Sequence, residues 1–464
     1  MLRNTGSMLS MRLQRWIPEP FVFAIILTLL VSALALAFTD SGINAVVDHW
    51  YRGFWTLLEF GMQMVLILVT GFAIALSPLI ARLINRIAKL ASTPGAVYVL
   101  VVVVGGLFGL VSWGWAVLTA VLARELARRV EGLDYSYLVA CVYLAGQPWV
   151  GGLSSSIPLL LNTEGNFLVE TGVLPGQIPI STTLGSTLNW VYLAHHFLAV
   201  PLLMWLMRPH VHASRSMRDL VDPSYEDQGT VAEEAATHML TGKSLSDRLN
   251  NAVWLQLLIA LAALSYIVRH FVNNGFDIDL NIMIFIFLAV GLLAHGTPMR
   301  YVVAMKRACA NVSGIVFQYP FYAGIMGIMM FSGLGTLIAD WMADGATVRT
   351  LPFIGMLSGA VVNFAIPSAG GEWAVIGPAF TDAASSLAAT LPQDQVQPFI
   401  ARVAMAVAYG ETSTNLLQPF FLLVILPVMG AGVRIQARDV MGYLVLPFIY
   451  IFASSALLVT FVPL

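Results

Sequence analysis

Two short polar stretches interrupt long apolar runs in the second half of the chain. They are Pro367–Trp373, which holds two adjacent glycines and an acid, and Gly410–Asn415, which holds an acid and three hydroxyl residues. An ionisable side chain inside an apolar, membrane-length run is costly to keep, so Glu372 and Glu411 are candidates for a functional role. We predict that these two carboxyl groups take up a proton or help to bind a cation.

Matching interruptions occur in the first half, at Ser112–Trp115 and Gly146–Gly152. No Lys or Arg lies in any of the four stretches. An anion there has to be held by helix N-termini, whose free N–H groups attract a carboxylate, and by hydroxyl or amide donors. Tryptophan rings supply flat apolar walls, which suits a small acid with a short apolar tail. The residues predicted to bind such a substrate are Ser112, Trp113, Gly114, Trp115, Gly146, Gln147, Ser154, Ser368, Gly370, Gly371, Trp373, Thr412, Ser413, Thr414 and Asn415.

Several of these residues also have a purely structural interpretation. Small residues such as Ser154–Ser156 let membrane helices approach each other closely. Trp113 and Trp149 could anchor the chain at a membrane interface. Glu372 and Glu411 could be hydrogen-bonded acids that only support the fold.

A histidine pair and the absence of enzyme motifs narrow the chemistry. His195 and His196 lie within a continuous apolar run, so we interpret them as a structural pair and expect alanine at either position to leave most activity intact. The sequence contains no G-x-S-x-G, H-E-x-x-H, phosphate-binding loop or C-x-x-C motif. We therefore predict neither an enzyme nor a bound metal or cofactor. The remote alternative is an intramembrane acyltransferase that uses one of the two histidines.

The composition defines the class of protein that must position these residues. The 464 residues are 58% hydrophobic and 10% charged, and the mean hydropathy is +0.81. A soluble globular domain carries about 25% charged residues. A net charge of −2 offers no basic footprint for nucleic acid, and Cys141 and Cys309 suggest neither a disulfide framework nor a zinc site. We predict an all-α polytopic membrane protein whose surroundings are lipid.

The apolar runs follow a repeated order. From residue 17 to 207 the chain reads as span, span, re-entrant hairpin, discontinuous span and span, and the same order returns from 280 to 464. The hairpins are expected at about 96–130 and 351–388. A connecting span at 253–279 adds an odd crossing, which inverts the second copy. The predicted fold is therefore two inverted repeats with about nine spans plus two hairpins, a pattern typical of secondary transporters.

The distribution of basic residues orients this layout. With the N-terminal segment 1–16 and the linker 208–252 in the cytoplasm, 19 of the 23 Lys and Arg residues fall on the cytoplasmic side. The four on the outer side are Arg52, Arg269, Arg349 and Arg402. Cytoplasmic loops of membrane proteins carry such an excess. We predict a multi-pass protein of the bacterial cytoplasmic membrane with a cytoplasmic N-terminus.

Four motifs resemble a known family. Pro367–Val375, Gly410–Phe420, Ser112–Trp115 and the entry Trp16–Phe21 are similar to the bacterial short-chain fatty acid transporter family, over nearly the whole chain. The resemblance implies the ion transporter superfamily, paired hairpins, an elevator motion and uptake of acids such as acetoacetate or butyrate. It also implies that Ser413-Thr414-Asn415 is like the substrate and sodium clamps of dicarboxylate carriers in that superfamily. The corresponding first-half stretch, from 146 to 156, contains no Asn.

The sequence thus predicts a cation-coupled secondary carrier of short-chain monocarboxylates. A dicarboxylate or amino-acid carrier of the same superfamily is the alternative. The coupling ion is left open between transported Na⁺ and H⁺. The oligomeric state is open too, with a homodimer as one option, and no nucleic-acid partner is expected.

Overall fold

The chain folds into helices. The computed structural model describes residues 20–463 with the exception of 57, 112–114, 163–165, 171, 211–213, 224–228, 239–243, 276–279, 311 and 368. Within these residues the regular elements are helices, and an isolated antiparallel bridge joins Val221 to Val433. The prediction of an all-α protein is confirmed.

Among the described residues, the α-helices form two sets of ten with a connecting group between them. The first set is α1 (Pro20–Phe38), α2 (Ile43–Thr56), α3 (Leu58–Ala75), α4 (Pro78–Ile87), α5 (Pro94–Val111), α6 (Trp115–Arg129), α7 (Tyr135–Ala145), α8 (Ser156–Leu161), α9 (Phe167–Glu170) and α10 (Thr187–Met207). The connecting group is α11 (Val231–Thr237), α12 (Leu245–Asn250) and α13 (Val253–Asn274). The second set is α14 (Leu280–His295), α15 (Pro298–Ala310), α16 (Ser313–Phe331), α17 (Leu334–Ala343), α18 (Leu351–Val362), α19 (Ala369–Ala388), α20 (Gln393–Thr414), α21 (Leu422–Met429), α22 (Ala437–Met441) and α23 (Val445–Phe461).

The two sets follow the same order of helix types. Each set begins with an apolar helix, which is followed by a shorter amphipathic helix and then by a second apolar helix. The fourth helix, α4 in the first set and α17 in the second, has ten residues and is amphipathic. Two helices joined by a short tip follow, then a broken helix and a final long helix. The sequence predicted the long helices, the tips and the breaks in this order. It missed the amphipathic helices α2, α4, α15 and α17, which are too short or too polar to read as spans.

The two largest hydrophobic cores among the described residues are each built around one hairpin. The first gathers buried residues of α5, α6 and α7, and also Leu422 and Ile425 of α21 from the second set. The second gathers α18, α19 and α20, and also Ile157 and Leu161 of α8 from the first set. Phe420 packs against both cores. The two sets are therefore interleaved, because each hairpin is enclosed by the helix that follows the break of the other set.

Several helices are long and apolar enough to cross a membrane. In the described residues these are Pro94–Val111, Thr187–Met207, Leu245–Asn274 and Ala437–Phe461, with a fifth if Gln393–Leu417 and Leu422–Met429, which meet at a bend of 46°, form one broken span. Helix α13 exposes large apolar side chains along its length, from Val253 at 55% to Val272 at 76%. Such a surface needs lipid rather than water around it. The protein is therefore a membrane protein, while the count of nine spans and the inversion of the second copy stay predictions.

The connecting group is docked on the helices. Thr230 and Glu233 form a capping box at the start of α11. The hydrogen bonds from Thr230 lower the pKa of the Glu233 carboxyl, because they favour its charged form. Glu234 pairs with Arg307 of α15, at 2.6 Å from its Nε. This segment is thus held against the second set by specific contacts.

Candidate functional site

The first hairpin is packed against the first break through glycine contacts. Helix α6 begins at Trp115, whose ring lies against Gly146, so that a Cβ at Gly146 would overlap the ring. The Ser154 hydroxyl donates to the carbonyl of Gly109, near the end of α5, at 2.6 Å. Trp115, Gly146 and Ser154 therefore lie together at one place. The predicted residues that fall outside the described part of the chain here are Ser112, Trp113 and Gly114.

The first break is the 3-10 turn Gln147–Gly151, which follows α7. Its second residue is Pro148, and the residue before a proline is disfavoured in an α-helix. The Gln147 carbonyl accepts hydrogen bonds from the hydroxyls of Thr412, at 3.1 Å, and of Tyr192, at 3.2 Å. Gln147 is buried, and its Oε1 has no hydrogen-bond partner among the described residues. The two sets of helices meet at this carbonyl.

The second break lies further along the chain than the sequence indicated. Helix α20 continues through Gly410–Thr414, and a 3-10 turn follows before the backbone becomes extended at Gln418. The next residue is a proline, which accounts for that position. Gly410 does not unwind the helix. It lets α20 approach α18, because a Cβ at Gly410 would overlap the carbonyl oxygen of Met356. The prediction of a break at Gly410–Asn415 is wrong.

The hydroxyl residues at this helix end are used in different ways. Ser413 Oγ donates to the Tyr409 carbonyl at 2.6 Å, and Thr414 Oγ1 lies 3.2 Å from the Glu411 carbonyl. Such bonds tie a side chain to its own helix. Thr412 instead reaches the other set, through Gln147. Because these residues occupy the C-terminal end of α20, they do not present helix N–H groups to a carboxylate, contrary to expectation.

An amide network links the second break to the second hairpin. The amide nitrogen of Asn363, which caps α18, lies 2.9 Å from each of three acceptors: the Glu411 carbonyl, Thr414 Oγ1 and Asn415 Oδ1. The Gln418 amide donates to the Asn363 carbonyl at 3.2 Å. All five residues are buried. Asn363 and Gln418 thus join the predicted Thr414 and Asn415 in one polar cluster inside an apolar core.

Two carboxyl groups lie in this cluster. Glu372 of α19 and Glu411 of α20 are 0% and 1% exposed, and they lie near enough that a charge on one disfavours a charge on the other. Both oxygens of Glu372 and the Oε2 of Glu411 have no hydrogen-bond partner in the described part of the chain. A Cβ at Gly359 would lie 3.0 Å from Glu372 Oε1, so this glycine makes room for the carboxyl. The ion pairs among the described residues involve neither acid. Since an unpaired buried charge is costly, the site favours a bound proton or another cation.

The tip of the second hairpin contacts the first set. Gly370, in the first turn of α19, faces Ser156 of α8. A Cβ added at Gly370 would lie 3.7 Å from the Cβ of Ser156. Trp373 is buried, and its indole N–H has no acceptor among the described residues. Gly371, the next residue after Gly370, is half-buried. Ser368, the remaining predicted residue of this tip, lies outside the described residues.

Tyrosines and an asparagine that the sequence did not single out connect the two breaks. The Tyr143 hydroxyl donates to the carbonyls of Asn415 and Gln418, at 2.6 and 2.7 Å. Tyr409 stacks on Tyr192 with ring centroids 4.0 Å apart. Its hydroxyl donates to Asn189, whose amide in turn donates to the Gly151 carbonyl at 2.9 Å. The first break, which has no Asn in its own loop, thus receives an amide from α10.

The histidine pair is closer to the site than its sequence position suggested. His196 is buried, its Nδ1 lies 2.9 Å from the Tyr192 carbonyl, and its ring lies 4.0 Å from the Tyr192 ring. His195 is partly exposed and contacts the Tyr450 hydroxyl at 3.1 Å. His196 therefore supports Tyr192, which bonds to the first break, whereas His195 contacts α23 instead.

Comparison with known proteins places this arrangement in a family. The family model described as short chain fatty acid transporter matches residues 1–464. The chain belongs to the short chain fatty acid transporter family. A protein of Haemophilus influenzae named as a short-chain fatty acid transporter is 35% identical over 451 residues, 96% of each chain. One of Escherichia coli with the same name is 38% identical over 432 residues, 92% of each chain. The crystal structure of the Alcanivorax borkumensis YdaH transporter matches with a TM-score of 0.42 and 16% identity, over 96% of this chain and 98% of that one.

Membership of the short chain fatty acid transporter family makes this protein a transporter and not an enzyme. The sequence could have pointed to one of the residues that it missed. Asn363 is a polar residue at the end of the apolar helix α18, just before the tip. The tyrosines carry no such signal, because their rings suit an apolar run and their hydroxyl partners are set by packing between distant helices.

Proposed function

We propose that the protein is a secondary active carrier of short-chain monocarboxylates such as acetoacetate or butyrate. The observation that carries the proposal is the contact between the two sets beside their breaks, where the Thr412 hydroxyl near the end of α20 meets the Gln147 carbonyl of the first break. Discontinuous helices from two repeats that meet inside a membrane protein form the substrate sites of secondary transporters. The names of the Haemophilus influenzae and Escherichia coli relatives support the substrate class.

The geometry favours a monocarboxylate over a dicarboxylate. Helix α19 is 20 residues long and starts at the second tip, where the N–H groups of Gly370 and Gly371 can attract one carboxylate. Trp115 and Trp373 supply apolar walls for a tail of a few carbons. Glu372 follows Gly371 directly in the first turn of α19, so a substrate with two carboxylates brings more negative charge beside this acid than a substrate with one. The dicarboxylate carrier is therefore the weaker candidate.

We also propose that Glu372 and Glu411 couple transport to a cation. These carboxyl groups are buried beside each other without an ion-pair partner among the described residues. A cation that binds here offsets their charge, and it also offsets the charge of an incoming carboxylate. Binding of the cation and of the substrate therefore favour each other, as coupled transport requires.

An elevator-type motion and a cytoplasmic-membrane location complete the proposal. Helices α2 and α16 lie in backbone contact, since a Cβ at Gly53 would meet Gly327 within 2.8 Å. Helix α16 also packs on the second hairpin and the second break, since Tyr322 belongs to the second core and its ring centroid lies 5.1 Å from that of Phe420. The tight pair can serve as the frame against which the hairpins move. The excess of Lys and Arg in the segments assigned to the cytoplasm supports an N-terminus inside the cell.

Counterflow in proteoliposomes tests the substrate class. Vesicles that hold the full-length protein are preloaded with unlabelled butyrate, and entry of labelled butyrate is followed with butyrate, succinate or an amino acid as competitor. We expect exchange that butyrate and acetoacetate inhibit and succinate does not. Stronger inhibition by succinate or by an amino acid would favour another carrier class of the same superfamily. Chemical turnover without translocation would favour an acyltransferase.

Glu411→Gln identifies the coupling ion in the same vesicles. If protons are coupled, the variant loses uptake driven by a pH gradient but keeps counterflow. If sodium is coupled, the dependence on Na⁺ weakens and the response to a pH gradient is unchanged. If the variant takes up substrate against a gradient as well as the wild type does, Glu411 has only a structural role.

A further inference from the structure

Helix α4 connects the end of one apolar helix, α3, to the start of the next, α5. Only Leu76 and Ser77 separate it from the end of α3, and three residues, 91–93, separate its 3-10 extension Ala88–Leu90 from the start of α5. Both neighbours are apolar, with α5 long and apolar enough to cross a membrane. Helix α4 is therefore held at the level where the chain leaves and re-enters the hydrocarbon.

The side chains of α4 form three adjacent stripes. Ile80 and Ile87 pack against the first core. Leu79 and Leu83 are 53% and 47% exposed. At about 100° per residue, these leucines lie on the helix between the isoleucines and Arg82 with Arg86. The helix thus carries an exposed apolar stripe, with protein on one side of it and positive charge on the other.

Within the described part of the chain, no ion pair neutralises this positive charge. Arg82, Arg86 and Lys89 are exposed. Residues 60–124 contain no Asp or Glu. The ion pairs in the described part of the chain involve none of the three basic residues. Charge complementarity therefore calls for an anionic partner at the membrane surface.

We propose that α4 and its extension form a binding surface for the headgroups of anionic phospholipids. Arg82, Arg86 and Lys89 contact the lipid phosphates, and Leu79 and Leu83 enter the boundary between headgroups and acyl chains. Short amphipathic helices with basic and apolar stripes bind membrane surfaces in this way. Clusters of Lys and Arg beside a span recognise anionic headgroups.

Helix α17 provides a natural contrast inside the same molecule. It has the same length and the same place in the order of the second set, between α16 and the second hairpin. It contains no Lys or Arg, carries Asp340, and exposes Trp341 at 79%. It therefore has an apolar surface without the positive stripe, and it is not part of the anionic-lipid surface.

Lipid retention tests the proposal without any transport assay. The full-length protein is extracted from vesicles of phosphatidylcholine with or without phosphatidylglycerol, and the lipids that remain bound are counted by native mass spectrometry. We expect the wild type to retain phosphatidylglycerol several-fold over phosphatidylcholine. The triple variant Arg82→Gln, Arg86→Gln, Lys89→Gln loses this preference. The variant Arg82→Lys, Arg86→Lys keeps it, because the charges remain.

A matched control separates a specific surface from diffuse attraction. Arg248→Gln, Arg300→Gln, Lys306→Gln removes three exposed basic residues elsewhere and should leave the preference unchanged. A second readout is a spin label at Leu83→Cys in a Cys309→Ser background, because Cys309 is an exposed thiol. This label should report burial below the headgroups that deepens when phosphatidylglycerol is added. Equal loss in the control variant, unchanged retention in the α4 variant, or a fully aqueous label would each overturn the proposal.

Discussion

At the scale of single residues, the chemistry depends on two acids from different helices. Glu372 and Glu411 lie together in an interior where the described residues supply amides and hydroxyls but no ion-pair partner. Groups that interact this closely take up cations as a pair and not one at a time. Their effects on transport should therefore not be independent.

We expect Glu372→Gln to abolish uptake against a gradient and to preserve counterflow, because the amide keeps the shape of the side chain and loses its ability to carry a charge. If the two acids act as one unit, the double variant with Glu411→Gln is no worse than either single variant. Glu131→Gln is the control, since Glu131 is an acid that is 90% exposed. Losses that add up in the double variant would contradict a shared role.

The histidines give a second test at this scale. We expect His195→Ala to leave transport close to that of the wild type, because His195 contacts Tyr450 outside the two breaks. His196→Ala should lower the rate several-fold, because it removes support from Tyr192, whose hydroxyl bonds to Gln147. Initial rates of labelled butyrate uptake at matched protein levels measure both. Equal effects of the two substitutions would show that the Tyr192 contact does not matter.

The sequence predicted some of these residues and not others for a physical reason. Acids in an apolar run stand out because burying them is costly. The sequence therefore indicated Glu372 and Glu411 as interior acids, and both are buried. Asn363 carries a similar signal, because it is a polar residue at the end of an apolar helix. The aromatic pair Tyr192 and Tyr409 could not be found, because the sequence does not show that α10 and α20 lie side by side.

At the scale of elements, glycines set how closely the helices approach. Gly410 lets α20 contact the backbone of α18. We expect Gly410→Ala to destabilise the protein by about 1–3 kcal/mol, the usual cost of overpacking a core. Thermal unfolding in detergent measures this change. Gly42→Ala is the control, because no other atom lies within 4 Å of a Cβ at Gly42. An unchanged unfolding temperature for Gly410→Ala would contradict the close contact.

The docking of α11 on α15 gives a further prediction. Arg307 donates to Glu234 through Nε, at 2.6 Å, and to the Gly229 carbonyl through Nη1, at 2.8 Å. We expect Arg307→Ala to release α11, so that a protease cleaves the segment between 224 and 243 several-fold faster in sealed inside-out vesicles. Arg300→Ala, on the same helix α15 but exposed, should not change the cleavage rate. Equal rates in all three proteins would rule out a docking role for the Arg307 contacts.

The positions of the breaks show what local sequence can and cannot indicate. Polar residues inside an apolar run predicted a break at Gly410–Asn415, whereas the chain bends after them, between Leu417 and Leu422. The backbone itself becomes extended at Gln418, beside a proline, and the helix accommodates Ser413 and Thr414 by accepting their hydroxyl hydrogen bonds on its own carbonyls. A polar stretch therefore indicates a site, while a proline is the better indicator of where the helix ends.

At the scale of the whole molecule, the interleaved cores make one structure of the two sets. Helix α8 of the first set packs in the core of the second hairpin, and α21 of the second set packs in the core of the first. Arg124 of α6 reinforces this exchange by donating to the Val428 carbonyl at 2.5 Å. The order of apolar runs predicted two copies. It did not predict the exchange, which depends on contacts between residues about 300 positions apart.

We predict that the second copy is inverted in the membrane relative to the first. Helices α4 and α17 have the same place in the two sets, so inverted copies put them on opposite sides of the membrane, whereas copies of the same orientation put them on one side. Arg86 and Asp340 are exposed residues of these helices. The test uses Arg86→Cys and Asp340→Cys in a Cys309→Ser background, because Cys309 is exposed and Cys141 is buried.

An impermeant maleimide should label Arg86→Cys only in inside-out vesicles and Asp340→Cys only in intact cells. This result follows from inversion together with the excess of basic residues on the cytoplasmic side. The background protein must stay unlabelled in both preparations, which shows that Cys141 does not react. If both cysteines are labelled from the same side, the copies are not inverted. Alternating access then cannot arise from two repeats that are related by a two-fold axis in the membrane plane.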